Sequence, residues 1–271
     1  MSKVSKIIQN KAKIISNIRL RCNYYKLAFS SPEIIRISRP GQFLMVRINQ
    51  DYQPFLRRPF SIHRVHYGAI EILYEIVGQG TKILSEKKTG EYLDVIGPLG
   101  NGFSMSTARG SILVGGGIGV APLFFLAQRL TEQRKHNTEH KTFVFIGAKT
   151  KKEIFCKKEF ARLGLDAKIS SDDGSAGFKG KVTQLLKIIL RTKEGRKIRN
   201  KEQTIYACGP QPMLREISII SKEYNIPAQI SLDEYMACGL GVCLGCMIQT
   251  KQGQRFVCKD GPVFETSELS W

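Results

Sequence analysis

Acidic residues are scarce in this chain. Among 271 residues, 23 Asp and Glu stand against 42 Lys and Arg, a net charge of +19. None precedes Glu33, whereas Lys3, Lys6, Lys11 and Lys13 are basic. So basic a balance brings nucleic acid, an anionic membrane or an acidic partner into view. No long Lys/Arg block accompanies it, and charge spread evenly along a chain describes a basic solvated surface. Long apolar runs are missing too. Ile112 to Ala127 runs for 16 residues without a charge, but a membrane-spanning helix needs about 20. The four glycines and one proline inside that stretch fit a buried strand, a turn and a helix. There is no apolar segment followed by a cleavage site, so secretion is not expected. The basic N-terminus resembles a transit peptide in charge, yet Ile14 to Arg21 already alternates as a strand does. The expectation is a cytoplasmic protein with no membrane span and no nucleic-acid partner.

A disulfide framework is also absent. Cys22, Cys156 and Cys208 are scattered, while Cys238, Cys243, Cys246 and Cys258 crowd together near the C-terminus. Seven cysteines arranged so unevenly point to a metal site in a reducing compartment.

The apolar fraction of 42% is enough for a packed core, and the length allows two domains and a small third module. Residues 1–105 read as an antiparallel β-barrel. Gln42 to Ile48 is a strand, and Ile62–Val65 and Ile70–Val77 flank a turn at Tyr67-Gly68. Turn signals recur at Arg39-Pro40-Gly41, Gly78-Gln79-Gly80 and Gly97-Pro98. In residues 106–229 strands alternate with helices. The strands are Ser111–Val114, Lys141–Gly147, Ala167–Ser170 and Thr204–Ala207; the helices are Pro122–Gln133, Lys152–Leu163, Val182–Leu190 and Met213–Glu223. That alternation implies a parallel sheet with crossover helices. Residues 230–271, rich in cysteine and glycine, form a third module. The fold class expected is multidomain α+β.

Cys238-x4-Cys243-x2-Cys246, with Cys258 after eleven further residues, is the plant-type spacing for a [2Fe–2S] cluster. Three thiolates must converge from one tight loop around two irons. Gly239, Gly241 and Gly245 let the backbone curl close and leave amides free for the sulfurs. A four-cysteine zinc site is the competing reading, but such sites usually carry two C-x2-C pairs and here there is one.

Two glycine turns carry the next signal. Val114-Gly115-Gly116-Gly117-Ile118-Gly119-Val120-Ala121-Pro122 follows a strand and opens a helix, so amides and a helix N-terminus can face a phosphate. It is not a G-x-G-x-x-G motif. Ala207-Cys208-Gly209-Pro210 ends a later strand and enters another helix. Ser170 to Ser175 follows a strand as well. There Asp173 fits a free ribose hydroxyl, as in NAD, although Lys179 and Lys181 lie nearby and a plain acidic turn reads equally well.

Arg58-Pro59-Phe60-Ser61, with Gly78-x-Gly80-Thr81 some twenty residues on, resembles the flavin-binding motifs of the ferredoxin reductase superfamily. The resemblance implies that Arg58 reaches the FAD pyrophosphate and Ser61 lies near the isoalloxazine N5. Gly80 and Thr81 would contact the same pyrophosphate, and Leu73-Tyr74-Glu75 joins the flavin set. The chemistry is apt, because a guanidinium binds phosphate bidentately. By the same resemblance Cys208, Gly209 and Pro210 sit beside the nicotinamide where hydride passes to the flavin. The catalytic residues implied are Cys208 and Ser61. The dinucleotide seat is Gly115, Gly116, Gly117, Gly119 and Pro122.

The whole layout resembles one family, the electron-transfer subunit of NAD-dependent bacterial dihydroorotate dehydrogenase. Its most specific pieces are Arg57–Ser61, Leu93–Phe103, Gly115–Leu123, and Tyr235–Gly239 together with Val257–Phe264. The family implies an FMN-containing catalytic partner in a two-plus-two heterotetramer of pyrimidine biosynthesis. Electrons from dihydroorotate would pass through the cluster and FAD to NAD. Glu75 departs from the pattern, since related chains often carry a basic residue there, and a phosphate contact from that position is not expected. Sibling subunits, of NADH-dependent ferredoxin:NADP oxidoreductase or sulfhydrogenase type, share the layout. A stand-alone flavin reductase would not need the cysteines. A basic zinc protein binding nucleic acid would have no use for the Arg-Pro-Phe-Ser and Cys-Gly-Pro motifs.

Overall fold

The computed structural model describes residues 7–49, 53–66, 68–105, 110–134, 141–193, 195 and 203–271. The chain divides into two compact units. One comprises Met1–Gly102, Asp233–Ile248 and Gln254–Pro262; the other comprises Phe103–Leu232, Gln249–Gly253 and Val263–Trp271. Residues 230–271, expected as a single module, are thus shared between the two units.

The first unit is built on an antiparallel sheet. Its strands are β1 (Ile8–Arg21), β2 (Tyr24–Ser30), β3 (Phe43–Arg47), β4 (Arg58–Ser61), β5 (Arg64–His66), β6 (Ala69–Glu75) and β7 (Tyr92–Leu99). They lie in the order β4-β3-β7-β1-β2-β6-β5. Ala12 and Ile14 of β1 are fully buried while Lys11, Lys13 and Ile15 are exposed, the period-two pattern of a strand with one dry face. The sheet curls on itself. Phe60 on β4, one end of the order, meets the edge of Tyr74 on β6, near the other end, with ring centroids 5.8 Å apart. Leu27, Phe29, Leu44, Met45, Val46, Ile70, Ile72 and Val95 fill the interior. Helices α1 (Pro32–Ile37) and α2 (Gln79–Glu86) interrupt the strands.

The expected hairpin is present, with His66 paired to Ala69 across Gly68 at φ +78°; Tyr67 lies outside the described residues. The strand expected at Ile62–Val65 is shifted to Arg64–His66. Ile62 instead donates its amide to the Gln42 carbonyl (3.1 Å), which ties it to the β3 side.

The second unit carries six parallel strands: β8 (Gly110–Gly116), β9 (Lys141–Ala148), β10 (Ala167–Ser171), β11 (Phe178–Lys179), β12 (Gln203–Cys208) and β13 (Ala228–Ser231). Helices α3 (Val120–Arg134), α4 (Lys157–Arg162), α5 (Val182–Arg191) and α6 (Gln211–Tyr224) connect them. A hairpin, β14 (Met247–Thr250) and β15 (Gly253–Phe256), precedes β16 (Val263–Glu265), which pairs antiparallel with β13. The sheet order is β11-β10-β9-β8-β12-β13-β16. From β8 the chain winds outward through β9 and β10, whereas β12 and β13 extend the other way. The order therefore reverses between β8 and β12, and ligands of open α/β sheets bind in the crevice at the carboxyl ends of such a pair.

One expected helix is shorter than its sequence suggests. Lys152–Leu163 resolves into a 3-10 turn at Lys151–Glu153 and α4 from Lys157. Between them Phe155 is buried and Cys156 takes a left-handed conformation, φ +62°. Turning Phe155 into the core breaks the helix there.

Candidate functional site

The cysteine loop explains its glycines. Gly239 and Gly241 have φ of +70° and +77°, a region that side chains rarely adopt. A Cβ on Gly239 would lie 2.4 Å from Met45 of β3, so the loop lies flat on the barrel strand only because that position is bare. The curl turns backbone amides onto sulfur. Leu240 and Val242 donate to the Cys238 thiol at 3.3 and 3.4 Å, and Gly241 donates to Cys258 at 3.1 Å. Burial raises the Cys238 thiol, but amides of Cys243, Leu240 and Val242 outweigh it and bring it down to about 6. Burial and the neighbouring Cys246 push Cys258 up to about 12.

Cys246 and Cys258 are buried side by side, and Cys238 is hydrogen-bonded with Cys243. Among the described residues, the four thiols form no group of three whose sulfurs all lie within 4.8 Å of one another. A single zinc, with Zn–S of about 2.3 Å, needs that compactness. Two thiol pairs with amides aimed at sulfur fit a two-iron cluster.

Asn101 shows how the segment after Cys258 is held. Its side-chain amide donates to the carbonyls of Asp260 (2.9 Å) and Lys259 (3.3 Å), and its backbone amide donates to Gly261 (2.6 Å). A Cβ on Gly100 would lie 2.6 Å from both Gly261 and Pro262. The Leu93–Phe103 stretch thus acts, through Gly100 and Asn101, as a buttress for the cysteine segment.

On the barrel, Arg57 and Arg58 part company. Arg57 pairs with Asp94 at 2.6 Å and is structural. Arg58 turns to α2. Its Nη1 donates to the Leu56 carbonyl at 2.6 Å, and its Nε would lie 3.0 Å from a Cβ on Gly80. Gly80 therefore lets a guanidinium rest against the first turn of a helix, which joins a cation to free helical amides. That combination fits a diphosphate. Thr81 is largely spent on the turn itself. Its hydroxyl accepts the amides of Val77 (3.0 Å) and Gly78 (3.3 Å) and donates to the Gly78 carbonyl.

Pro59 and the half-buried Ser61 lie with Arg58 on β4, paired to β3, while Phe60 points inward. Leu73 and Tyr74 are buried. Tyr74 donates to Asn17 (3.0 Å), stacks on Tyr25, and is raised by burial. Glu75 ends β6, half-buried and paired with Tyr24.

In the α/β unit the two glycine turns meet. Cys208 is in register with Gly115. A Cβ on Gly119 would lie 2.6 Å from both the Cys208 carbonyl oxygen and the Gly209 Cα. One on Gly116 would lie 2.8 Å from Pro210 and from the Met213 sulfur. Gly117, at φ +55°, faces open space, and α3 begins at Val120 with Pro122 in its first turn. The missing side chains let the two turns close on each other where α3 and α6 begin.

Asp173 stands apart, exposed after β10. The Ser175 hydroxyl (2.6 Å) and amide (2.9 Å) hold its carboxyl below the usual range. Sequence reasoning assigned no role to Met45, Asn101 or Met213, which touch these loops; Asn101 lay inside the Leu93–Phe103 stretch and Met213 just after Cys208-Gly209-Pro210, while nothing in the sequence marked Met45.

The family model described as the iron-sulfur cluster binding domain of dihydroorotate dehydrogenase B matches residues 233–270, and an oxidoreductase NAD-binding domain model matches 113–218. The electron transfer subunit of dihydroorotate dehydrogenase B (NAD(+)) from Desulforamulus reducens is 39% identical over 96% of this chain and 97% of its own length. The Clostridium acetobutylicum subunit is 37% identical over 95% of both. Among solved structures, the NADH-dependent reduced ferredoxin-NADP oxidoreductase superposes with a TM-score of 0.82 at 29% identity, covering 96% of this chain and 90% of that one. A ferredoxin NADP+ reductase from Neisseria gonorrhoeae with bound FAD and NADP shares the fold, with a TM-score of 0.65 at 15% identity over 80% of this chain and 91% of that one. No helix among the described residues is long and apolar enough to cross a membrane. With its thiol loop, its arginine-capped barrel and its glycine crevice, the chain belongs to the family of electron transfer subunits of dihydroorotate dehydrogenase B (NAD(+)).

Proposed function

We propose that this chain is the NAD side of dihydroorotate oxidation, and that three segments divide the work: 1–105 for FAD, 106–229 for NAD and 230–271 for the cluster. It is an NAD-dependent oxidoreductase subunit that uses FAD, an iron–sulfur cluster and NAD. The observation that carries the reading is the thiol loop, four cysteines paired two and two with amides turned onto sulfur. When bound, the flavin couples two-electron hydride chemistry to single-electron transfer and the cluster relays single electrons.

The chain's own residues supply binding and orientation. Cys238, Cys243, Cys246 and Cys258 ligate iron. Arg58, fixed by the Leu56 carbonyl and resting against Gly80, would supply the charge that holds the FAD diphosphate, together with the Gly80 and Thr81 backbone. Pro59, Phe60, Leu73, Tyr74 and Glu75 would form the wall of that site, and Ser61 would lie near the flavin ring. Gly115, Gly116, Gly117, Gly119 and Pro122 seat the NAD diphosphate, while Cys208, Gly209 and Pro210 orient the nicotinamide. Asp173 accepts from a ribose hydroxyl and repels a 2′-phosphate, which favours NAD over NADP.

Dihydroorotate itself belongs to a catalytic partner, which we take to carry FMN in a two-plus-two assembly in the cytoplasm. Around the thiol loop Tyr235, Leu240, Val242, Leu244 and Met247 all expose apolar side chains. A patch of that kind marks an interaction surface, and electrons must leave where the cluster lies nearest the surface. Replacing Val242 with Asp should abolish co-purification with the catalytic subunit while iron and flavin stay bound. Retained co-purification would move the contact elsewhere.

A further inference from the structure

The lysine that follows Cys258 does not extend freely into water. A Cβ on Gly241 would lie 2.8 Å from the Lys259 Cδ, 3.0 Å from its Cβ and 3.3 Å from its Cγ, so the lysine stem lies along the bare side of that glycine. Gly241 has φ +77°, and its amide donates to the Cys258 sulfur at 3.1 Å. The stem therefore covers the residue whose amide reaches a thiol of the site. The Lys259 backbone is tied down as well. Its amide donates to the Phe256 carbonyl (3.0 Å), and its carbonyl accepts from the Asn101 side chain (3.3 Å). The ammonium is only two bonds beyond Cδ, which keeps it close to the loop, and the residue is exposed. The adjacent carboxylate is engaged elsewhere: Asp260 accepts the Phe256 amide at 2.7 Å and lies 4.0 Å from Arg255. Among the described residues the Lys259 ammonium has no ion-pair partner, so its charge is left uncompensated beside the thiols.

Resting on the iron–sulfur reading above, we propose that Lys259 tunes the cluster: its charge, laid over the thiol loop by Gly241, makes the bound cluster easier to reduce. Thiolates and sulfides together outweigh the charge of the irons, so the filled site is negative. Reduction adds one electron, makes or breaks no bond, and deepens that negative charge. A cation held nearby stabilises the reduced form more than the oxidised one. Net charge and hydrogen bonds to sulfur are general levers on such potentials. Both meet at Gly241, whose amide serves the sulfur and whose missing side chain admits the lysine. A stem extended into solvent would carry the same charge away from the loop, where salt screens it. With the stem laid down, the loop becomes a better acceptor for an electron arriving from the catalytic partner.

The test is a redox titration of the full-length chain with its cluster bound, poised with mediators at one pH and low salt. Electron paramagnetic resonance reads the reduced cluster, and absorbance reads the flavin. Lys259→Met and Lys259→Gln remove the charge and keep most of the stem, whereas Lys259→Arg keeps the charge. At the potential that half-reduces the wild-type cluster, both neutral variants should show a reduced-to-oxidised ratio about threefold to tenfold lower, tenfold being about 59 mV for one electron. Lys259→Arg should titrate with the wild type. Added salt should shrink the difference, because the charge is exposed. The flavin potential should move less than the cluster potential. Neutral variants that titrate with the wild type, or an arginine variant that shifts as far as they do, would overturn the proposal. Weaker co-purification with the catalytic subunit at an unchanged potential would likewise overturn it and make Lys259 a partner contact. Iron and acid-labile sulfide per chain report an intact cluster in every variant, and a wild-type chain without sulfide would overturn the iron–sulfur reading itself.

Discussion

The thiol loop and the glycine crevice solve the same problem in opposite ways. Each must bring backbone amides to an anion. The loop does it locally, since Cys238 to Cys246 spans nine residues and one curl aims Leu240, Gly241 and Val242 at sulfur. The crevice does it at long range. Gly119 and Gly209 are ninety residues apart and touch because neither carries a side chain. The loop's chemistry is written in side chains and the crevice's in their absence. The two should therefore fail differently: the loop by loss of a ligand, the crevice by gain of an atom.

The largest effect belongs to the loop. Cys243→Ser should remove acid-labile sulfide and the visible cluster bands almost entirely while most of the FAD stays, which iron, sulfide and flavin assays on one preparation would read. Stoichiometric zinc without sulfide in anaerobically purified wild type would sink the comparison at its first term. Next comes the crevice. In Gly119→Val the new side chain meets backbone at 2.6 Å, which cannot swing aside. NADH oxidation with an artificial acceptor should lose about a hundredfold in kcat/KM, the scale of a 1 Å misplacement. Near-normal kinetics would mean that the two turns need not touch. Arg58→Ala lies between the two modes, because it removes one charged hydrogen-bonding group, and should weaken FAD by about 1.5–3 kcal/mol in direct binding.

The smallest effect is at Asp173, which is exposed and held charged by Ser175. Its carboxyl pKa is lowered by that serine. Its negative charge is therefore complete above the ordinary carboxylate range of about 4 and is lost only as the pH falls through the lowered value. The preference for NADH over NADPH should then be flat with pH from neutral upward. It should shrink several-fold in Asp173→Ala, read from the ratio of the two KM values.

Much of this was legible in the sequence because side-chain chemistry has fixed spacing. Cysteine ligands with four and two residues between them, a strand ending in glycines, and alternation in Ile14–Arg21 all translate directly into local geometry. What the sequence concealed was proximity. Nothing near Leu93–Phe103 announces that Gly100 and Asn101 brace Gly261 and Asp260, more than 150 residues away. Nothing in Arg57-Arg58 tells that the first arginine pairs with Asp94 and the second turns to α2. The break before α4 was hidden for a related reason, since burial of Phe155 overrides helical propensity at Cys156.

The central claim is a division of labour between this chain and a catalytic partner. The measurement closest to it follows NAD reduction spectrophotometrically with dihydroorotate as donor, first with this chain alone and then with an FMN-type dihydroorotate dehydrogenase subunit from the same organism. The account predicts no reduction by the chain alone, despite active NADH oxidation with an artificial acceptor, and rapid reduction once the partner is added. Dihydroorotate-dependent NAD reduction by this chain alone would contradict it.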